Sequence, residues 1–293
     1  MTEQPDIICI GAMLWDVIGR APRAMKAGHD VPGRIAHIPG GVALNVAIAL
    51  ARRGMRPAVL SAVGLEPEGD ALVAESARLG VMTAHLIRDP DLPTDCYMAV
   101  EDNSGLVAAI ADAHSLEAAG ERILAPLDNA LAGWQGVAVV DGNLTERLLA
   151  RIAGDPRLAH ADLRIVPASP GKAKRLDPLI AAGRGCFYLN RLEAEIIAGR
   201  ACADAVTAAE AVTAKGARRV IVTDGGERVA DAMSGQPTLT ATPPAVRIAR
   251  ITGAGDCFLA AHLVAEQQGA DRDGALQAAT QAAAAHVAGK DLP

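Results

Sequence analysis

Apolar residues along this chain fall into short continuous runs, and most runs are followed by a segment with helical spacing. Continuous runs of four to seven residues are typical of strands covered on both faces. We place such strands at 7–10, 58–64, 137–140, 163–166, 186–189 and 220–223. The helical segments are 42–53, 69–79, 144–153, 173–182, 191–198, 204–215, 254–268 and 274–288. Strands that alternate with helices predict an α/β protein with a mainly parallel central sheet between two helical layers.

Two segments interrupt this alternation. Residues 12–38 contain scattered apolar positions and three glycines, and residues 94–112 contain two strand-like runs on either side of the turn residues 102–105. Turn residues between two such runs predict a β-hairpin. We expect the two segments to pair as a small sheet outside the main one, within a single domain of residues 1–293.

Composition and charge exclude several classes of function. The 28 basic and 34 acidic side chains give a formal charge of −6 without any block of Lys or Arg, which argues against a nucleic-acid surface. The densest basic cluster, at 172–175, is interpreted as the solvated start of a helix. The chain has no apolar run of about 18 residues and no signal-peptide pattern, so we expect no membrane span and a cytoplasmic location. The five cysteines form no CxxC pair, which argues against structural zinc and disulfides.

The strongest candidate for chemistry is the sequence Gly-Ala-Gly-Asp at 253–256, which opens an apolar helix. Two glycines allow a ligand to approach the backbone closely, and the N–H groups at a helix start favour an anion. Asp256, in the first turn, could act as a base facing that anion. The alternative is an ordinary helix start capped by Thr252 or Asp256. The dinucleotide fingerprint is absent because Phe258 stands where it needs glycine, and there is no GxxxxGK[ST] loop.

A second group of candidates lies near the first strand and the first helix. Gly40 and Gly41 open the helix, and Asn45 sits one turn later among apolar residues, where an amide is costly unless it is hydrogen-bonded. Asp16 follows the first strand at the sheet edge where open α/β sheets bind ligands. Each has a plainer interpretation, an amide bonded to the backbone and a solvated turn residue.

A third group follows two later strands. Asn190 and Glu193 either form a capping box or organise a hydrated Mg²⁺ near phosphates. Thr223 and Gly225 begin a glycine turn that would suit either a nucleotide or a tight connection.

Taken in order along the chain, these features resemble the PfkB (ribokinase-like) family of sugar and nucleoside kinases, and the resemblance spans nearly the whole chain. Within the family the chain is most similar to members that act on pseudouridine. The segments that carry this similarity are 39–42, 60–64, 101–105, 109–112, 141–144 and 190–195.

The resemblance implies a three-layer α/β/α ribokinase-like fold with a small β-sheet lid, formed by the segments 12–38 and 94–112. It also implies phosphoryl transfer from ATP, with Mg²⁺, to the 5′-hydroxyl of pseudouridine. The residues to which it assigns roles are Asp16, Gly40, Gly41, Asn45, Asp112 and Asn143 for the substrate, Asn190, Thr223 and Gly225 for ATP, Glu193 for the metal, Gly253, Ala254 and Gly255 as amide donors, and Asp256 as general base.

The chain departs from the family pattern at several positions. Arg250 stands where members with a monovalent-cation site commonly carry Asp, so activation by K⁺ is not implied. Arg228 replaces a glycine of the ATP turn, and Val166-Pro167 replaces an Asp-Pro of the pseudouridine-specific members. In this family lids sometimes pair between subunits, which makes a homodimer through the lid an expectation.

Other activities stay open on the sequence alone. A ribokinase, a purine nucleoside kinase or a fructokinase-like enzyme would share the same motifs. A non-catalytic metabolite-binding protein on a kinase scaffold is disfavoured because it would not need Asp256, and a dehydrogenase lacks its fingerprint. With six aromatic residues in the chain, we expect a base to be recognised mainly by polar and backbone groups, with Trp15 or Tyr97 as the rings in reach.

Overall fold

The main sheet has eight strands, and the hydrophobic runs of the sequence form its central ones. The computed structural model describes residues 4–26 and 28–290. The strands of the main sheet are β1 (Ile7–Ile10), β4 (Pro57–Leu60), β9 (Val137–Asp141), β10 (Asp162–Val166), β11 (Cys186–Asn190), β12 (Arg219–Thr223), β13 (Val229–Met233) and β14 (Leu239–Ala241). Their order is β14-β13-β12-β11-β10-β9-β1-β4. Neighbouring strands are parallel along the part of the sheet β12-β11-β10-β9-β1-β4.

Helices cover both faces of this sheet. They are α1 (Val42–Ala51), α2 (Pro67–Arg78), α3 (His114–Ala119), α4 (Glu146–Ala153), α5 (Asp177–Ala181), α6 (Arg191–Ala198), α7 (Ala205–Thr213), α8 (Ala254–Gln267) and α9 (Arg272–Val287). Alternate residues of each central strand enter opposite cores: Ile8 and Ile10 pack in the core with α4 to α7, and Ile7 and Cys9 in the core with α1, α8 and α9. Burial on both faces explains why these strands are continuous apolar runs. None of the helices in the described part of the chain is long and apolar enough to cross a membrane.

A second, four-stranded sheet stands apart from the main one. Its strands are β2 (Leu14–Arg20), β3 (Arg34–Gly40), β7 (Cys96–Asp102) and β8 (Gly105–Asp112), in the order β3-β2-β7-β8. The predicted hairpin is β7-β8, and it joins β2 in parallel. The two irregular segments of the sequence therefore do pair with each other.

The structure differs from the sequence prediction at several elements. The predicted strand at 58–64 is two strands, because β5 (Ala62–Gly64) turns away to pair with β6 (Ile87–Asp89). The predicted helix at 173–182 begins as a 3₁₀ helix at 170–176 and restarts as α5, where Pro178 cannot donate a backbone hydrogen bond. The antiparallel edge strands β13 and β14, α3 and a 3₁₀ helix at 120–128 were not predicted.

A buried ion cluster anchors the far end of α8. Glu266 accepts hydrogen bonds from Arg164 on β10 (2.5 Å) and from Arg219 on β12 (2.6 Å). His262, one turn earlier and fully buried, has a pKa lowered to about 4 by desolvation, so it is neutral at pH 7. These contacts fix the helix whose first turn carries Asp256.

Candidate active site

Two adjacent glycines bring the small sheet against the start of α1. Gly40 ends β3 beside Asp16 of β2, and a Cβ at Gly40 would lie 2.2 Å from Oδ2 of Asp16. Gly41 has φ of 92°, and a Cβ there would lie 2.4 Å from the Ala12 carbonyl oxygen. Glycine is required at Gly41, because a side chain there would meet the backbone, and a side chain at Gly40 would displace the Asp16 carboxylate. Asp16 is half-buried, and desolvation raises its pKa to about 6.

The end of β9 supplies the next group of side chains. Asp141 is completely buried and accepts hydrogen bonds from the Ala12 and Ala43 backbone N–H groups, at 2.9 and 3.3 Å. The backbone N–H of Asn143 and its side-chain Nδ2 also donate to this carboxylate, at 2.8 and 3.1 Å. The Asn143 Oδ1 accepts from Lys172 Nζ at 2.8 Å. Asn143 therefore has a fixed amide orientation, and Lys172 is part of the site.

The Gly-Ala-Gly-Asp sequence forms an uncapped helix start. Gly253 is the N-cap residue of α8 with φ of 81°, and among the described residues no side chain caps this helix. Ala254, Gly255 and Asp256 line a cavity. The interpretation as an ordinary side-chain cap by Thr252 or Asp256 is therefore wrong. The Ala254 N–H donates to the Ile251 carbonyl oxygen at 3.1 Å, which leaves the N–H groups of Gly255 and Asp256 in the first turn to face an anion.

Asp256 is surrounded by groups that favour its protonated form. Its pKa is raised to about 7, first by desolvation and then by the negative charges of Asp141 and Asp16, while a hydrogen bond with Asn45 opposes the shift. The carboxyl group is half-buried and stands between the side chains of the small sheet and α1 and the cavity beside α8. A carboxylate with a pKa near the working pH is suited to accept a proton.

The turn that precedes α8 is tied to the end of α9. Nε2 of His286 lies 2.9 Å from the Thr252 carbonyl oxygen. The Arg250 guanidinium contacts the carbonyl oxygen and Nδ1 of His286, each at 3.1 Å. With Nδ1 accepting from Arg250, Nε2 carries the proton and donates to Thr252. These contacts are made by Arg250, the residue at which the sequence departs from family members with a monovalent-cation site.

A cavity of about 650 Å³ lies on the other side of Asp256. Most of its wall is apolar, and residues 243–251 and α9 both contribute to it. The polar side chains of the lining include Asn190, Glu193, Thr223 and Asp256, and Gly225 also lines the cavity. A mainly apolar pocket with a few polar groups, beside a helix start that suits an anion, can accommodate a nucleotide.

Asn190 and Glu193 form the capping box that the sequence suggested. Asn190 Oδ1 accepts from the Glu193 backbone N–H at 2.9 Å, and Glu193 Oε2 accepts from the Asn190 backbone N–H at 2.8 Å. Burial raises the pKa of Glu193. The described residues contain no cluster of three or more potential metal ligands. One carboxylate in the lining of the cavity, that of Glu193, fits Mg²⁺, which keeps several waters and is held largely by substrate phosphates.

Asp112 is the predicted site residue that the structure does not bring into contact with the others. It ends the edge strand β8, is largely exposed, and accepts a hydrogen bond from His114 Nδ1 at 2.6 Å. Tyr97, in contrast, pairs with Asp16 across β2 and β7 and is half-buried.

Sequence reasoning missed two residues of the site. Asp141 stands in a resembling segment but was given no role, although a carboxylate at the end of a wholly apolar strand was a usable signal. Lys172 was interpreted as solvated, and no local pattern could have shown its bond to Asn143, which lies 29 residues away.

The family model for pfkB family carbohydrate kinases matches residues 4–291. The chain belongs to the PfkB family of carbohydrate kinases. Among curated proteins it is 29% identical over 265 residues to pseudouridine kinase of Escherichia coli, covering 89% of this chain and 83% of that protein. It is 24% identical over 269 residues to ribokinase of Mus musculus, covering 88% and 81%.

Solved structures agree with this assignment. Ribokinase of Arabidopsis thaliana complexed with ribose and ATP superposes with a TM-score of 0.82 at 19% identity, covering 97% of this PfkB chain and 93% of that one. A carbohydrate kinase from Agrobacterium tumefaciens gives 0.81 at 24% identity, covering 96% and 90%. The predicted ribokinase-like fold, with a mainly parallel sheet and a small separate sheet, is confirmed. This PfkB protein is a kinase of the carbohydrate or nucleoside type, which implies use of ATP with a divalent metal.

Proposed function

We propose that this PfkB kinase transfers the γ-phosphoryl group of ATP to the 5′-hydroxyl of pseudouridine. The position of Asp256 carries the proposal for the reaction, because this carboxyl group contacts Asn45 on one side and lines the cavity on the other. The similarity to pseudouridine kinase of Escherichia coli over 89% of the chain supports the choice of substrate.

Asp256 acts in this proposal as the general base. It accepts the proton of the 5′-hydroxyl as that oxygen attacks the γ-phosphorus, and the bond from phosphorus to the β,γ-bridging oxygen breaks. The N–H groups of Gly253, Gly255 and Asp256 at the start of α8 donate to the phosphoryl oxygens, which carry most of the charge in the transition state. Ala254, which the sequence also suggested as a donor, is not one of them, because its N–H is bonded to the Ile251 carbonyl oxygen. Mg²⁺, when bound near Glu193, would neutralise charge on the phosphates.

The ribose is held on the opposite side of Asp256. A carboxylate can accept from two neighbouring hydroxyls at once, and the absence of a Cβ at Gly40 leaves room for the Asp16 carboxylate itself. Asn45 offers an amide on the same side, and Gly41 offers its backbone. Thr223 and Gly225 line the ATP cavity with Asn190 in this arrangement.

We further propose that Lys172 and Asn143 recognise the uracil ring. Lys172 has three N–H donors, of which Asn143 Oδ1 accepts one, so donors remain for a uracil carbonyl oxygen. Lys172 is the donor of the two. Asn143 holds it in place, because Asn143 Nδ2 donates to both oxygens of the buried Asp141 while its Oδ1 accepts from Lys172. Polar recognition of this kind fits a chain that is poor in aromatic residues.

The experiment is a substrate panel with two matched variants. Transfer from ATP is measured on pseudouridine, uridine, inosine, adenosine, ribose and fructose. Lys172→Met should raise KM for pseudouridine about tenfold or more, the worth of a charged hydrogen bond, and leave ribose unaffected. Lys174→Met, at an exposed position of the same 3₁₀ helix, should change neither. Preferred turnover of ribose or fructose by the unmodified enzyme would refute the substrate assignment.

Ribose is the second candidate substrate. The similarity to ribokinases of Mus musculus and of Bacillus subtilis, over 88% and 96% of this chain, favours it. Pseudouridine carries a uracil ring that ribose lacks, so Lys172 should matter only for pseudouridine.

We also propose a homodimer through the small sheet. Ile35, Met98 and Ile110 project from the same face of that sheet and are 72%, 51% and 69% exposed. A contiguous exposed apolar face of this kind fits association with a second copy of the chain.

A further inference from the structure

Asp141 is the most deeply buried acid near the proposed site, and it has no role in the chemistry given above. Its side chain is 0% exposed. Among the described residues its hydrogen-bond donors are neutral amides, the backbone N–H groups of Ala12, Ala43 and Asn143 and the Asn143 side chain. Since a buried carboxylate without a cationic partner is costly, its retention calls for a compensating use.

The donors come from three separate segments of the chain. Ala12 lies in the connection after β1, Ala43 in the first turn of α1, and Asn143 in the loop after β9. Gly11 closes directly over the carboxylate, because a Cβ at Gly11 would lie 2.3 Å from the Asp141 Cβ. The single side chain therefore joins the three segments around it.

These segments carry the groups that the proposed function assigns to the substrate. Gly41 and Asn45 belong to the start of α1, and Asn143 contacts Lys172. A carboxylate is an acceptor only, so the ionised form matches all four N–H donors, and burial opposes that ionisation by raising the pKa of Asp141. A neutral amide in its place would present its own N–H group to some of these donors.

We propose that Asp141 is a positioning residue for the phosphoryl transfer proposed above, which holds the three substrate-binding segments in one arrangement in front of Asp256. The inference rests on the proposed function for its effect on turnover. Its structural part, the joining of the segments, can be measured on the ligand-free protein.

The charge of Asp141 has a second effect, on the base itself. The groups that act on Asp256 are the carboxylates of Asp141 and Asp16, which disfavour its ionisation, and Asn45, which favours it. Asp141 in turn faces the buried Cys9 thiol, whose pKa is raised by burial and further by the Asp141 charge. Loss of the Asp141 charge makes Asp256 more acidic, and the acidic limb of the rate profile then moves to lower pH.

The test compares Asp141→Asn with Asp155→Asn. Asp155 is also buried, at 1% exposure, but it accepts hydrogen bonds from Arg157, and neither residue belongs to the three segments. Both variants should be less stable than the unmodified protein. Asp141→Asn should also lower kcat by about 10²-fold, the cost of misplaced reacting groups, move the acidic limb to lower pH, and speed amide exchange at Ala12 and Ala43. Asp155→Asn should do none of these three things.

If Asp141→Asn does not fold, Asp141→Ser, which is smaller, uncharged and still an acceptor, replaces it with the same expectations. An unchanged acidic limb together with unchanged exchange at Ala12 and Ala43 would overturn the inference, whatever happens to kcat. If the unmodified protein phosphorylates nothing in the substrate panel, the proposed function fails, and the exchange measurement alone still decides whether Asp141 joins the segments.

Discussion

The raised pKa of Asp256 leads to a sharp expectation for the pH dependence of the reaction. The base works only when ionised, and its pKa is about 7 because of burial and two neighbouring carboxylates. One pH unit below that value roughly a tenth of the enzyme carries an ionised base. The rate should therefore be near its plateau at pH 8 and about tenfold lower at pH 6.

A second group makes the profile steeper. Asp16, proposed to hold the ribose hydroxyls, has a pKa raised to about 6 by desolvation. Because kcat/KM reports the ionisations of the free enzyme, its logarithm should fall with a slope near 1 between pH 7 and 6 and approach 2 below pH 6. In Asp16→Asn the slope should stay near 1, and KM for the sugar should rise.

The measurement is an initial-rate profile of kcat/KM from pH 5 to 9 at constant ionic strength, with saturating ATP and Mg²⁺. Asp256→Asn should lower kcat by at least ~10² and leave ATP binding nearly intact. Asp273→Asn serves as the matched control, since Asp273 is an exposed acid in the first turn of α9. A flat profile between pH 8 and 6, or normal turnover by Asp256→Asn, would refute the assignment of the base.

Three further outcomes are expected. Because folding raises the pKa of Asp256, the folded protein binds this proton more tightly than the unfolded chain does. The carboxyl group therefore lowers the free energy of unfolding as pH rises from about 4 through 7. In calorimetry, Asp256→Asn should raise Tm by about 2 °C or more at pH 8 and leave it unchanged at pH 3. Initial rates should be equal in K⁺ and Na⁺, since Arg250 occupies the turn before α8, and a severalfold stimulation by K⁺ would contradict this. Light scattering should give twice the monomer mass for the unmodified chain and the monomer mass for Met98→Asp with Ile110→Asp; a monomeric unmodified chain would exclude the dimer.

The central strands could be predicted from the sequence because burial on both faces leaves a direct mark. Val137–Asp141 and Cys186–Asn190 are apolar up to their last residue, and such runs indicate the strands of a parallel sheet. The antiparallel strand β13 left no such mark, because Asp231 stands in its middle. That carboxylate is buried and bonded to Arg219 and Arg272, which are distant in sequence.

The site divides in the same way. The glycines at 40, 41 and 253 could be identified because close approach and positive φ demand that residue type. The importance of Lys172 and Asp141 depends on contacts over 29 to 129 residues of sequence, which no local pattern encodes. The assignment of a role to Asp112 stays a prediction, because its carboxylate is bonded to His114 at the edge of the small sheet.

Two of the groups proposed to bind the sugar belong to the small sheet. Asp16 stands within β2 between Ile38 and Tyr97, and β3 ends at Gly40 and runs directly into Gly41. The walls of the cavity proposed for ATP instead come from the main sheet, from residues 243–251 and from α8 and α9. Any displacement of the small sheet would therefore move Asp16 and Gly40 with it and leave the cavity proposed for the nucleotide in place. A change of specificity to a new sugar or nucleoside would therefore require substitutions in the small sheet, whereas the site for the phosphoryl donor could stay the same.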